Sequence, residues 1–204
     1  MANKDAAFGF RAIGGTGSSY ETQGTSRYEI SDNWTNAIFQ GDLIGAGDGA
    51  VTDRAGTTTV KGYIFGSAPA TTLNMGGFNG CFYIDPTTSK PTWKNYYPGA
   101  VNITTGTIAA YCYDNPQQLY EVQTSGTLTQ TDVGSLIDSA AYVAGSTING
   151  HSVSEIGGTS QVATAQWRIV RLSGDPSNSD TSAANSNWIV RLNESIYYNS
   201  AILS

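Results

Sequence analysis

His151 is the only histidine in the chain, and a hydrolase of the serine–histidine–aspartate kind would need it as general base. It sits in Ile148-Asn149-Gly150-His151-Ser152-Val153, a turn-like context in which the neighbouring Ser152 points to the opposite face if the segment is extended. No Gly-x-Ser-x-Gly elbow is present, so the expectation is a solvated surface histidine. Asp85, Asp114 and Glu121 lie near aromatics, and two such carboxylates flanking a sugar would make a glycosidase. Asp85, however, precedes Pro86, and Asp114 leads into Asn115-Pro116, positions at which aspartate starts turns. Asp42, Asp48 and Asp53 could offer oxygens to a calcium ion, but the EF-hand order is missing. Cys81 and Cys112 each sit in an apolar aromatic segment and are expected as buried thiols, and with one histidine they fall short of a four-ligand zinc site. Nothing resembles a phosphate-cradling glycine loop or a P-loop lysine. The sequence therefore predicts no enzyme, no cofactor and no metal.

The elements that would position these residues are strands. Charged residues make up only 13% of the 204, while Thr, Val, Ile and Tyr recur between Gly, Asn and Asp turn formers, and helix-favouring Glu and Lys are sparse. The predicted fold is all-β, a single antiparallel β-barrel or jelly-roll-like β-sandwich over residues 27–204, preceded by an extended N-terminal arm over residues 1–26. The arm is glycine-rich, with Phe8 and Phe10 as its isolated aromatics. Strands are expected at 28–30, 37–44, 57–65, 80–85, 107–114 and 119–124. Residues 132–145 are expected as strand or irregular structure, because flanking glycines leave too little length for a stable helix. Trp167-Arg168-Ile169-Val170-Arg171-Leu172 and Trp188-Ile189-Val190-Arg191-Leu192 share Ile-Val-Arg-Leu and bracket a polar loop, so both are expected as strands. Arg168, Arg171 and Arg191 are expected to pair with carboxylates at an edge or a subunit interface.

A net charge of −6 with only ten scattered Lys and Arg argues against a nucleic-acid partner. No apolar run approaches the roughly 20 residues that span a bilayer, and the start of the chain lacks a signal-peptide core, so the expectation is a soluble product of a cytoplasm with no membrane partner. The densest signal is Gly77 to Gly99, where Phe78, Phe82, Tyr83, Trp93, Tyr96 and Tyr97 flank Asp85-Pro86-Thr87-Thr88 as two strands around a turn. Cys81, Phe82 and Ile84 are expected in a buried strand, and Trp93, Tyr96 and Tyr97 at a surface that meets a partner.

Phe78-Asn79-Gly80-Cys81-Phe82-Tyr83-Ile84-Asp85-Pro86-Thr87-Thr88, with Trp93 and Tyr96-Tyr97-Pro98, resembles a stretch of the tailed-bacteriophage capsid decoration, or cement, proteins. The opening Met1 to Phe10 is similar to their start, Tyr113 to Pro116 followed by Tyr120 to Gln123 resembles their middle, and Ile189 to Glu194 resembles their end. The Gly14 to Gly24 stretch has no counterpart in that pattern. The resemblance implies a β-rich virion protein, commonly a homotrimer, made in the host cytoplasm and seated on the capsid exterior, where it joins neighbouring major capsid protein subunits. On that expectation Phe8, Phe10, Arg11, Trp93, Tyr96 and Tyr97 make the partner contacts. A carbohydrate-binding or host-adhesion module of a virion is the alternative, since exposed tyrosine and tryptophan also stack on sugars.

Overall fold

The computed structural model describes residues 2–16, 24–30, 34–46, 60–62, 74–103, 106–160, 165–195 and 197. Within them the chain is all-β, with two antiparallel sheets and no α-helix. The strands are β1 (Arg11–Gly15), β2 (Ser26–Ile30), β3 (Leu43–Ala46), β4 (Val60–Gly62), β5 (Asn74–Ile84), β6 (Pro91–Lys94), β7 (Ile108–Tyr113), β8 (Gln118–Gln123), β9 (Leu136–Ile137), β10 (Trp167–Leu172) and β11 (Asn187–Leu192). The first sheet runs β1-β8-β11-β10-β9; the second runs β2-β7-β5-β3-β4, with β6 paired to β5. The second sheet curls until β2 and β4 touch, giving a half-barrel. Residues 132–145 hold the end of a 3-10 turn and the two-residue β9, in keeping with the sequence expectation.

Alternation dictates the first sheet. Tyr120 and Val122 of β8, Trp188, Val190 and Leu192 of β11, and Trp167 and Ile169 of β10 point inward and are buried in one core with Phe10, Leu43 and Ile156. The two Ile-Val-Arg-Leu segments pair with each other, Trp167 opposite Leu192 and Trp188 opposite Leu172. Each buried indole keeps its N–H satisfied: Trp167 donates to Ser139 Oγ at 2.8 Å and Trp188 to Ser186 Oγ at 2.9 Å. The half-barrel encloses a second core, which includes Ile38, Met75, Phe78, Cys81, Tyr83, Tyr97, Ile108 and Cys112. Both cysteines are free and buried there; burial pushes the Cys81 thiol up to about 12 and raises Cys112 as well, so neither is a ready nucleophile.

The two sheets are tied where β5 begins. Tyr120 donates from its hydroxyl to the Tyr113 carbonyl at 2.8 Å and accepts from the Gly77 amide at 3.2 Å. The approach is close enough that a Cβ on Gly77 would lie 2.9 Å from the Tyr120 ring.

Residues 2–16 are held against the body by hydrogen bonds and packing. Asn3 donates its side-chain amide to the Asp180 and Ala184 carbonyls at 2.8 and 2.7 Å, and Asn178 returns bonds to the Lys4 backbone. Ala6 N–H donates to Gln123 Oε1 at 3.0 Å. Phe10 is then buried, its ring stacked on Trp167 at 4.2 Å, and β1 completes the edge of the first sheet beside β8.

Candidate contact surface

Among the described residues, the β5–β6 hairpin carries the largest group of exposed apolar side chains placed together on one element. Its turn is fixed locally: Asp85 Oδ1 accepts the Thr87 and Thr88 amides, both at 2.9 Å, and the backbone closes through Ser89 N–H to the Asp85 carbonyl at 2.8 Å. Those amide bonds hold the Asp85 carboxyl below the usual aspartate range. Across the hairpin Phe82 faces Trp93 and Ile84 faces Pro91. Phe82, Ile84 and Trp93 are 40, 42 and 51% exposed. Trp93 leans on Tyr111 of β7 with centroids 5.1 Å apart, and Gly80 lies under the indole, leaving no room for a Cβ. Single exposed hydrophobes are ordinary; three adjacent on a rigid hairpin, backed by a tyrosine, are a patch.

The structure corrects the face assignments. Cys81 is buried, but Phe82 and Ile84 are exposed, because the register between β5 and β7 slips between Phe78 and Gly80 and resets the alternation. Tyr97 is fully buried; its hydroxyl donates to the Trp34 carbonyl at 2.9 Å and accepts the Val101 amide at 3.2 Å. Phe10 is likewise core, so neither residue offers a contact surface. Tyr96 is half-buried, stacked beside Phe39 with the Lys94 ammonium 5.6 Å from its ring. Phe8 is half-buried under the Arg11 guanidinium, 4.8 Å from the ring centroid. Of the six expected contact residues, Trp93 is exposed on the hairpin patch, and exposed Arg11 lies on the other sheet.

The groups that might have done chemistry are dispersed. His151 is exposed on one side of its segment and Ser152 is buried on the other. Asp114 accepts the Tyr28 hydroxyl, and Glu121 takes Ser173 and Arg11, so the three carboxylates weighed for glycosidase chemistry are engaged by separate partners. No group of three or more His, Cys, Asp or Glu suited to a metal ion occurs among the described residues, and Asp48 and Asp53 lie outside them. Arg168 donates to the Gly134 carbonyl at 2.7 Å and Arg191 to Gln117 Oε1 at 3.1 Å; within the chain neither forms a salt bridge to a carboxylate among the described residues.

Asp42 is the most deeply buried carboxylate among the described residues, 1% exposed, and its role is architectural. Its Oδ2 accepts the Phe39 amide at 2.9 Å and its Oδ1 accepts the Ser154 hydroxyl at 3.3 Å, pinning the turn that receives the Phe10 amide on the Gly41 carbonyl. Burial raises its pKa, and burial also raises Glu155 and Glu194, helped by neighbouring Asp5 and Asp138. A carboxyl raised in the folded state favours folding below its ordinary value and loses that contribution as pH climbs through the folded value. Asp85, Asp132 and Asp180 are lowered and act in the opposite sense, stabilising above 3.8 and failing below it. Tm is therefore expected to be higher at about pH 5 than at about pH 8 and to fall again in stronger acid. Asp42→Asn should flatten the neutral-side slope, and a Tm that climbs steadily from pH 5 to 8 would contradict the assignment.

No protein-family model matches the chain, and no curated protein or solved structure matches it either.

Proposed function

We propose that the protein is a non-enzymatic virion component that binds the outer surface of a phage capsid and cements neighbouring major-capsid subunits. The observation that carries this reading is the exposed Phe82, Ile84 and Trp93 patch on the hairpin whose sequence bears the resemblance to capsid cement proteins. Aromatic side chains give large contact area for few rotatable bonds, which suits the centre of an interface.

Magnitude shapes the proposal further. Burying the remaining exposed area of the three side chains, on the order of 250 Å², is worth about 6 kcal/mol before the cost of association, and that cost is itself about 4–15 kcal/mol. One hairpin patch is a weak binder, so the reading calls for several copies acting together, as in a homotrimer, or for a second contact face. Purified protein added to undecorated capsids should bind saturably and raise their disruption temperature. Absence of binding at micromolar concentration would sink the proposal.

A carbohydrate-binding or adhesion role is the second reading, favoured by Trp93 presenting its indole over Tyr111 as a stacking platform. Glycan-array binding without capsid affinity would select it.

A further inference from the structure

Four of the chain's ten basic residues, separated by up to 180 positions in sequence (191 − 11), lie on the outer face of the first sheet: Arg168, Arg171 and Arg191 on adjacent β10 and β11, and Arg11 on β1 beyond β8, with Ile189 and Glu121 between them 2 and 7% exposed. Arg168 stands directly opposite Arg191, and the cross-strand row continues to Leu119 on one side and Leu136 on the other. The next row runs Arg11, Glu121, Ile189, Arg171. The residues flanking these in sequence, among them Trp167, Ile169, Tyr120, Val122 and Val190, fill the core, so the arginines point away from it.

This arrangement costs stability as it stands. Like charges directly opposite on paired strands repel, and among the described residues no carboxylate forms a salt bridge to Arg168, Arg171 or Arg191. Glu121, the acid within the two rows, is 7% exposed and already taken by Arg11 and the Ser173 hydroxyl. Arg168 and Arg191 are each held at one N–H by a neutral oxygen, the Gly134 carbonyl and Gln117 Oε1, which orients a guanidinium without neutralising it.

We propose that this arginine face is a docking surface for an acidic segment of a partner protein, bound in extended form with carboxylates two residues apart. Guanidinium groups match carboxylates bidentately, and rows two residues apart along a strand lie about 7 Å from each other, the repeat of same-side residues in an extended chain. A nucleic acid fits worse: its phosphates would meet four arginines around a fixed Glu121 on a protein that repels polyanions overall. The face lies on the other sheet from the hairpin patch, and the inference stands whether or not the capsid reading holds.

The test uses the intact protein and a fluorescent peptide with glutamate at alternate positions separated by serine. Saturable binding that weakens with salt, and that falls at least tenfold in Arg168→Gln/Arg191→Gln, is expected. The same double variant should keep or raise Tm, because it removes a repulsion; a structural role for the pair would lower it. No peptide binding at millimolar concentration in low salt, binding indifferent to the double variant, or tighter binding of a single-stranded oligonucleotide would overturn the proposal.

Discussion

Phe10→Ala is expected to lower the free energy of unfolding by about 3–5 kcal/mol, the range for emptying a buried aromatic site. The ring is 2% exposed, stacks on Trp167 at 4.2 Å and closes the core beneath β8, β10 and β11. Little can collapse into the space it leaves, since Tyr120 and Trp167 on either side are held by their own hydrogen bonds. The loss should also release what depends on the anchor: the polar bonds of Asn3, Lys4 and Ala6 are each worth only about 1 kcal/mol net, and Arg11 is largely exposed. Urea unfolding should therefore show the drop, and hydrogen exchange should show faster amides across β1. Phe10→Leu, which keeps most of the volume, should cost under half as much. A cost below 1 kcal/mol for Phe10→Ala would mean that the N-terminal segment is a free arm after all.

The opposite signature is expected at the hairpin. Trp93→Asp combined with Phe82→Ser alters side chains that are 51 and 40% exposed, so only the packed half of each ring is lost from the fold and stability should fall by about 2–4 kcal/mol, leaving the protein folded at assay temperature. Affinity for undecorated capsids should fall by about a hundredfold or more, the effect of deleting central aromatic anchors and placing an unpaired carboxylate in their stead. Lost binding by a variant that is still fully folded at the assay temperature distinguishes a contact surface from a structural one. Tyr97→Phe provides the contrast, because it strips a partner from the Val101 amide inside the core and should affect unfolding but not capsid affinity.

The fold was largely legible because most strands follow simple alternation. Trp167 to Leu172 and Trp188 to Leu192 read as strands from their apolar, β-branched content and the polar loop between them, although Ile189, apolar and 2% exposed on the outer side, hides the face alternation. The contact surface was less legible for a specific reason: one irregularity at Phe78–Gly80 resets the faces of β5, so Phe82 and Ile84 are exposed where unbroken alternation from Phe78 buries them. The pair Asn79-Gly80 was the available signal, since glycine inside a strand often marks a bulge. Tyr97 and Phe10 were misplaced because an aromatic beside glycine or proline suits a buried anchor as well as an exposed one, and only long-range packing decides. The arginine face was legible in part: Arg168, Arg171 and Arg191 stand out on two segments sharing Ile-Val-Arg-Leu, but only the pairing of β10 with β11 sets Arg168 opposite Arg191, and nothing in the sequence places Arg11 on the same face.

Side-chain-resolution density of the decorated particle tests the central claim most directly. The expected map places this fold on the outside of the shell at a junction between capsid subunits, with Phe82, Ile84 and Trp93 of the β5–β6 hairpin against the shell. A hairpin facing solvent, or a particle saturated with the protein that shows no ordered density for it, would contradict the account.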